Sequence, residues 1–350
     1  MKKKHTLVTV LVVAILCLLV YVQVHAWKKF DWGTFWKNTE HVNWWWIAGT
    51  VATTYIAYGF RAVRWRIFLK PMRETTALRL LPAQLIGFTG LALLGRPGEM
   101  VRPYLIARKE DLTFTSQVGV WVMERVFDMG AVATLFLVLS LWGDPFWQTL
   151  PNHRLAAEVQ ASAGIFFVAI LGLAAGAIVL RRSGYTIAER LRKRLEPRSA
   201  TLAHALHSKI VSFTDGLQTV ADAASFLQLL LLSLGMWIVI SIGFWLGTHA
   251  YGGTLSELGF ASLFLMMVAS MFGSMIQLPG VGGGSQLATI AVLNHVFGVQ
   301  NEIAVSCGIV LWLATFMAPI PVGLLLAQRE GLSLRAVAAE EAKEEAALNE

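Results

Sequence analysis

Residues 78–107 read LRLLPAQLIGFTGLALLGRPGEMVRPYLIA. An apolar run stops at Gly95-Arg96-Pro97-Gly98-Glu99 and resumes, shorter, from Met100. Glycine and proline so close together interrupt a helix, the one by backbone freedom and the other by a missing N–H. The first arm nearly reaches the ~20 helical residues that cross a hydrocarbon core. A second segment has the same plan. Residues 258–278 are apolar, Pro279-Gly280-Val281-Gly282-Gly283-Gly284 interrupts, and 285–297 resumes. Backbone broken at membrane depth is tolerated only where protein buries it or where it lines a polar cavity.

Around these two breaks, apolar runs cover 7–24, 42–60, 114–142, 161–180, 226–248 and 303–327. Trp44-Trp45-Trp46 stands at the end of one of them as an interfacial anchor. Across 350 residues, 56% are hydrophobic and 15% charged, against about 25% charged in an average soluble domain. That balance excludes a soluble enzyme, a secreted disulfide scaffold and a disordered chain. Both cysteines, Cys17 and Cys307, sit inside apolar runs, which leaves no disulfide framework and no CxxC metal site.

The net charge of +7 is unevenly placed. The N-terminus, 61–79, 96–109, 181–209 and the tail hold 24 of the 29 lysines and arginines, and the intervening loops 27–41, 142–160, 249–257 and 299–302 hold 4. Cytoplasmic loops carry the excess of Lys and Arg. The basic side, with both termini, is therefore expected in the cytoplasm of a cell whose inner membrane the chain spans many times. Val24-His25-Ala26 would pass as a weak signal-peptidase site, but an uncleaved first helix is the expectation.

With that orientation, 78–107 must enter and leave on the cytoplasmic side, and 258–298 on the outer side. The expected fold is an all-α polytopic membrane protein with about six full transmembrane helices and two opposed re-entrant hairpins. Residues 1–330 form the membrane domain and 331–350 a charged cytoplasmic tail. The halves 42–142 and 226–327 repeat span, broken hairpin, span at an offset of about 185 residues, in opposite orientations. Such inverted repeats, with Gly/Pro-broken segments in matching places, mark the binding site of secondary transporters. The connector 183–224 reads as a basic, amphipathic, surface-lying helical stretch.

Six ionisable residues lie in or beside the first-half segments: Arg96, Glu99, Arg102, Glu124, Arg125 and Asp128. Intramembrane charges are costly, so they pair or line a path. Glu124 and Asp128, at i and i+4, share a helix face, and Arg125 is placed to reach Glu99. Arg96 and Arg102 flank the hairpin turn and offer guanidinium forks suited to phosphate. Two compatible readings stand: an anion-headgroup site, or a buried salt-bridge network pinning the hairpin to its neighbour. The second tip divides similarly. Gly280, Gly282, Gly283 and Gly284 could present backbone N–H groups as an anion nest at the start of the next helix, or could let helices approach closely. Gln286 is the polar side chain best placed to reach a cavity there.

Other constellations are weaker. Ser285 and His295 lie ten residues apart on one helix, about 15 Å by rise, too far for a nucleophile and its base. His204 and His207 lack a thiolate or carboxylate partner at ligand spacing within the stretch. No Walker A sequence occurs. The basic 181–209 stretch suits lipid headgroups better than nucleic acid. No enzyme activity, metal or cofactor is expected.

The segment 94–102, the Glu124-Arg125 pair followed by Asp128, and the run from Pro279 to Gly284 together resemble the signatures of the lysylphosphatidylglycerol synthase transmembrane-region family, often described as flippase-like. The resemblance covers about residues 7–330. It implies an integral membrane protein that binds or translocates lipid headgroups, aminoacylated phosphatidylglycerol in the bifunctional members and isoprenoid-linked sugars or cell-envelope lipids in others. The family's second signature commonly ends in a glutamate, where this chain has Gln286. The short tail has no room for the cytosolic domain that makes the aminoacylated lipid, so that transfer is not expected of this chain. The expected function is transbilayer movement of an anionic phospholipid or polyprenyl-phosphate lipid. The alternative is a non-transporting, lipid-binding partner of a lipid-modifying enzyme or glycosyltransferase of the cell envelope.

Overall fold

A computed structural model describes residues 31–141, 153–197, 199–220, 222–278 and 282–330. The expected first span at 7–24, Pro279, Gly280 and the tail 331–350 lie outside the described residues.

Polar caps open the helices. The Asp31 carboxylate accepts the Thr34 N–H at 3.1 Å and starts α1 (Trp32–Glu40), a helix inside a stretch expected to be loop. Asn43 accepts from the Trp45 N–H at 3.1 Å and starts α2 (Trp44–Leu69). Thr76 caps α3 (Ala77–Leu94), which leads through one tight turn, Arg96–Met100, into α4 (Val101–Lys109). Next come α5 (Phe114–Leu141), α6 (His153–Leu195), α7 (Ala200–Leu217) and α8 (Ala223–His249), the last capped by Asp222. Such caps satisfy N–H groups that have no partner within the helix.

The remainder is α9 (Gly253–Ser256), α10 (Phe260–Gly273), a two-residue strand pair of Gln277–Leu278 with Gly282–Gly283, and α11 (Gly284–Ala291). Then α12 (Asn301–Trp312) runs through a π turn into α13 (Ile320–Arg329). Helix, broken hairpin, helix is thus the order in both halves: α2, α3–α4, α5, and α8, α10–α11, α12–α13.

Both hairpins fold back on themselves. In the first, Arg79 donates to the Lys109 carbonyl at 2.9 Å and pairs with Glu110 at 2.9 Å, so the two ends of the hairpin meet. In the second, the Gly284 N–H donates to the Ile276 carbonyl at 2.9 Å and Ser270 donates to the Ser285 carbonyl at 3.4 Å. The tips touch: Arg96 in the first donates to the Ser274 carbonyl at the end of α10, at 2.9 Å.

Two long helices cross between the halves. α2 and α8 run antiparallel, from the Asn43 N–H on the Ala250 carbonyl (2.9 Å), through Thr50 on the Gly243 carbonyl (3.1 Å), to Arg64 on Ser233 (3.0 Å). α5 packs on α10, with Phe136 stacked on Phe264 at 6.4 Å, and α13 packs on α3 beside the Phe88–Phe316 edge contact of 4.9 Å. Apolar packing divides into two main cores. One gathers Phe136, Trp237, Phe264 and Met267, the other Trp65, Phe68, Ile106 and Leu217.

Among the described residues, three helices are long and apolar enough to cross a membrane: α3, α8 and the run Asn301–Arg329. The pair Ala161–Gly176 and Arg181–Leu195, bent by 49° within α6, adds a fourth if taken as one span. The six expected spans also include 7–24, outside the described residues, and the runs that form α2 and α5. α2 and α5, at 26 and 28 residues, are as long but carry several charges each. α3 was read as one arm of a hairpin that does not cross, yet its 18 residues span ~27 Å at 1.5 Å per residue.

The connector also differs from its reading as one surface-lying stretch. Residues 183–195 continue α6, and only α7 is a separate helix. α7 is clamped onto α5 where Gly119 and Gly216 remove the side chains between them, so that a Cβ on Gly119 would fall 2.9 Å from the Gly216 Cα. The basic charge at the end of α6 is partly cancelled locally. Arg192 pairs with Glu189 at 2.7 Å and Glu196 at 3.0 Å, and the hydrogen bond from Arg192 draws Glu189 down to about 2.

Candidate functional site

The middle of α5 presents Glu124 and Asp128 one turn apart, both buried. Four guanidinium groups converge on them. Arg64 from α2 donates to Asp128 at 2.5 Å, to Glu124 at 2.8 Å and to Ser233 of α8 at 3.0 Å. Arg102 from α4 pairs with the other oxygen of Glu124 and donates to Gln84 of α3 at 3.0 Å. Its guanidinium also lies 4.5 Å above the Trp65 ring, where the aromatic face favours a cation. Arg125 reaches Glu124 at 3.2 Å and Asp128 at 3.1 Å. The Trp237 N–H donates at 3.3 Å to the Asp128 oxygen that Arg64 also holds.

Arg61 is the fourth. It stands 3.7 Å from Glu124 and 3.8 Å from Asp128, beyond hydrogen-bonding range. Among the described residues its guanidinium has no hydrogen-bond partner. Four cations face two carboxylates, and the cluster keeps an excess of two positive charges where α2, α5 and α8 pack together.

Two cavities flank this cluster, and Arg61 lines both. One, about 120 Å³, lies against the first hairpin and is lined by Tyr58, Arg61, Gln84, Glu99, Arg102 and Arg125 among others. The other, about 200 Å³, lies against the second hairpin, with Ser270, Ser274, Ser285, Gln286, Thr289 and Trp312 in its wall. Each has in its wall a residue with a buried donor that finds no acceptor among the described residues: the Gln84 amide nitrogen in the first and the Trp312 indole nitrogen in the second. Buried donors without partners point to a ligand or water that accepts. Cations and free donors together suit an anion.

The sequence-predicted residues fall as follows. Glu124, Arg125, Asp128 and Arg102 form the centre. Glu99 lines the first cavity and is held by Arg96 at 2.5 Å. Arg125 turns to its own helix rather than hydrogen-bonding Glu99. Gln286 lines the second cavity, and its side-chain oxygen accepts the Gly283 N–H at 3.1 Å. At the tips, Gly98 lies where a Cβ would strike the Gly90 carbonyl, and Gly284 where it would strike that of Gly273. Close backbone approach therefore accounts for both glycines. His204 and His207 lie 3.9 and 3.6 Å from Glu196 and Glu189, but no group of three metal-ligating side chains forms among the described residues.

Arg61 and Arg64 were missed. They follow the apolar run at 42–60 and were counted with the cytoplasmic loop charges. α2 continues through them to Leu69, burying Trp65, Phe68 and Leu69 beyond. The signal was present: Arg61 and Arg64 are three residues apart on one face, and Trp65 and Phe68 extend the apolar pattern past them. The basic asymmetry of the loops stands without the two.

Helices that can cross a bilayer, closed around a buried cluster of charge, define an integral membrane protein. The family model of the lysylphosphatidylglycerol synthase transmembrane region matches residues 7–323. The chain belongs to that family, a membrane region of lipid-related proteins. No curated protein and no solved structure matches it.

Proposed function

We propose that this protein moves an anionic lipid headgroup, that of an anionic phospholipid or a polyprenyl-phosphate lipid, across the bilayer in the manner of a flippase or scramblase. The observation that carries the reading is the uncompensated positive charge at the cluster, with Arg61 unbonded between two cavities that lie against the two hairpins. A phosphate in either cavity would meet Arg61. A guanidinium fork fits phosphate oxygens in pairs, and in a site poor in water each such contact is stronger than in solution.

The architecture supports the same reading. Six spans result if α2, α5 and 7–24 cross together with α6, α8 and the run Asn301–Arg329, with α3 counted as a hairpin arm. α5 packs on the second hairpin while α13 packs on the first, and α2 runs antiparallel to α8. An exchange of this kind is what an inverted repeat produces. The excess of Lys and Arg on the side of the termini and the first hairpin's open end supports a cytoplasmic position for them. The chemistry asked of the chain is binding and release, with no bond made or broken.

The test is lipid movement in proteoliposomes with head-labelled phosphatidylglycerol, a phosphatidylcholine control and a polyprenyl-phosphate analogue. Arg61→Ala is expected to slow movement of the anionic lipid at least ~10-fold, the equivalent of ~1.4 kcal/mol. Its melting temperature should stay at or above that of the wild type, because removing Arg61 breaks no hydrogen bond and relieves repulsion among the arginines. An unchanged rate would overturn the role of Arg61. Saturable binding without movement of any lipid would favour the alternative, a lipid-binding partner of an envelope enzyme.

A further inference from the structure

Arg125 lines two spaces at once. One is the 120 Å³ polar cavity already described. The other is an apolar groove of about 500 Å³ between α5 and α6, walled by Val122, Val126 and Met129 on one side and by Ile170 and Leu173 on the other. Leu173 is 63% exposed on the outer face of α6, so the groove opens sideways, toward the bilayer. α6 is smooth here. Nothing lies within 4 Å of a Cβ built on Gly172 or Gly176, and both glycines line the groove.

Polar chemistry in the groove is confined to one place. Trp121 and Arg125 both line it, with the guanidinium 6.0 Å from the indole ring. The Trp121 indole N–H and the Arg125 Nε are both buried and have no hydrogen-bond partner among the described residues. An apolar trough thus adjoins a positively charged chamber and shares an arginine with it. A water-soluble anion would use the chamber and leave the trough empty. A phosphate carrying a hydrocarbon tail fills both.

We infer that the α5–α6 groove is a tail-binding site and lateral entrance, through which a phosphate lipid places its head beside Arg125 while its chain lies along Val122, Val126 and Met129. This rests on the proposed reading of the arginine cluster as a headgroup site, and extends it from the head to the chain. Arg125 is then a positioning residue at the junction between head and chain.

The experiment uses the full chain in phosphatidylcholine vesicles containing phosphatidylglycerol with a photoactivatable diazirine midway along one acyl chain. Cross-links are mapped by mass spectrometry. Labelling is expected to concentrate on residues 122–129 and 170–173, at least tenfold above the exposed apolar face of α8 at Leu227 and Leu231. Gly172→Leu, which fills the groove where there is open space for a side chain, should cut that labelling at least fivefold while the melting temperature holds. Excess glycerol 3-phosphate should leave it unchanged. A polyprenyl-phosphate probe carrying the same diazirine shows whether the isoprenoid or the diacyl tail is preferred.

Groove labelling no stronger than on α8, or equal labelling by a phosphatidylcholine probe, overturns the site. The two ideas separate cleanly. Labelling confined to the groove with no movement of any lipid keeps the groove and removes translocation. Movement that depends on Arg61 but is indifferent to Gly172→Leu, with labelling spread evenly, does the reverse.

Discussion

Arg64→Ala is expected to prevent the protein from reaching a stable folded state. Arg64 is wholly buried and bonds two other helices in one place: Asp128 at 2.5 Å and Glu124 at 2.8 Å on α5, and Ser233 at 3.0 Å on α8. Removing one partner of a buried ion pair costs ~3–5 kcal/mol, because the remaining charge is left desolvated. The whole stability of a typical domain is only about 5–15 kcal/mol. Asp128 loses its closest partner and keeps Arg125 and the Trp237 N–H, whereas Glu124 keeps Arg102 as well as Arg125. Melting and size-exclusion profiles in detergent check this. The variant should aggregate or melt far below wild type. Arg64→Lys should fall between, because one ammonium cannot fork to two carboxylates. Adding Asp128→Asn to Arg64→Met should recover part of the loss, since the buried charge is removed with its partner. A single Arg64→Ala that melts like wild type would show that the cluster does not hold these helices together.

The contrast with Arg61 is a matter of one helical turn. Both arginines project from α2 toward the same carboxylates, yet Arg64 makes three hydrogen bonds and Arg61 lies half an ångström or more too far away to make any. The first is an element of the fold. The second is held near its counter-charges without being consumed by them, which is the condition a group must meet to bind an incoming anion. Arg102 stands between the two: its bonds to Glu124 and Gln84 tie α4 to α5 and α3, while its guanidinium also faces the first cavity.

The helical class and the two broken hairpins were legible because Gly and Pro interrupt apolar runs in a way nothing else in the chain does. Glu124, Arg125 and Asp128 were legible because a charge inside an apolar run is conspicuous. Arg61 and Arg64 were not, because a helix that leaves a hydrophobic stretch through arginines has the same sequence whether those arginines meet water or carboxylates. Only the partner, about sixty residues away on α5, distinguishes the cases. α6 was divided in the sequence reading because Arg181-Arg182 resembles the end of a span. The structure bends there by 49° and continues. The meeting of Arg96 with the Ser274 carbonyl, between tips far apart in sequence, leaves no local signal.

The hairpin tips supply the other large effect. Gly98→Ala is expected to unseat the first hairpin and Gly284→Ala the second. A Cβ on Gly98 would fall 2.6 Å from the Leu91 nitrogen and closer still to the Gly90 carbonyl, and one on Gly284 would fall 2.8 Å from the Ile276 carbonyl and closer still to that of Gly273. In both cases the obstacle is backbone, which cannot rotate aside as a side chain can. Overpacking of this kind costs ~1–3 kcal/mol, occasionally more, and here the relief must come from parting the arms of the hairpin. Parting the first arms draws Arg102 away from Glu124, so the damage should spread to the arginine cluster. Gly59→Ala and Gly164→Ala are the controls: both lie in helices with nothing within 4 Å of the new Cβ, and helix propensity favours alanine by roughly 0.5–1 kcal/mol. The controls should melt at or slightly above the wild-type temperature, and the two tip variants several degrees below it. If Gly98→Ala and Gly284→Ala melted with the controls, the close approach at the tips would not be a constraint on the fold, and backbone N–H groups offered to an anion would become the better account of why glycine stands at both places.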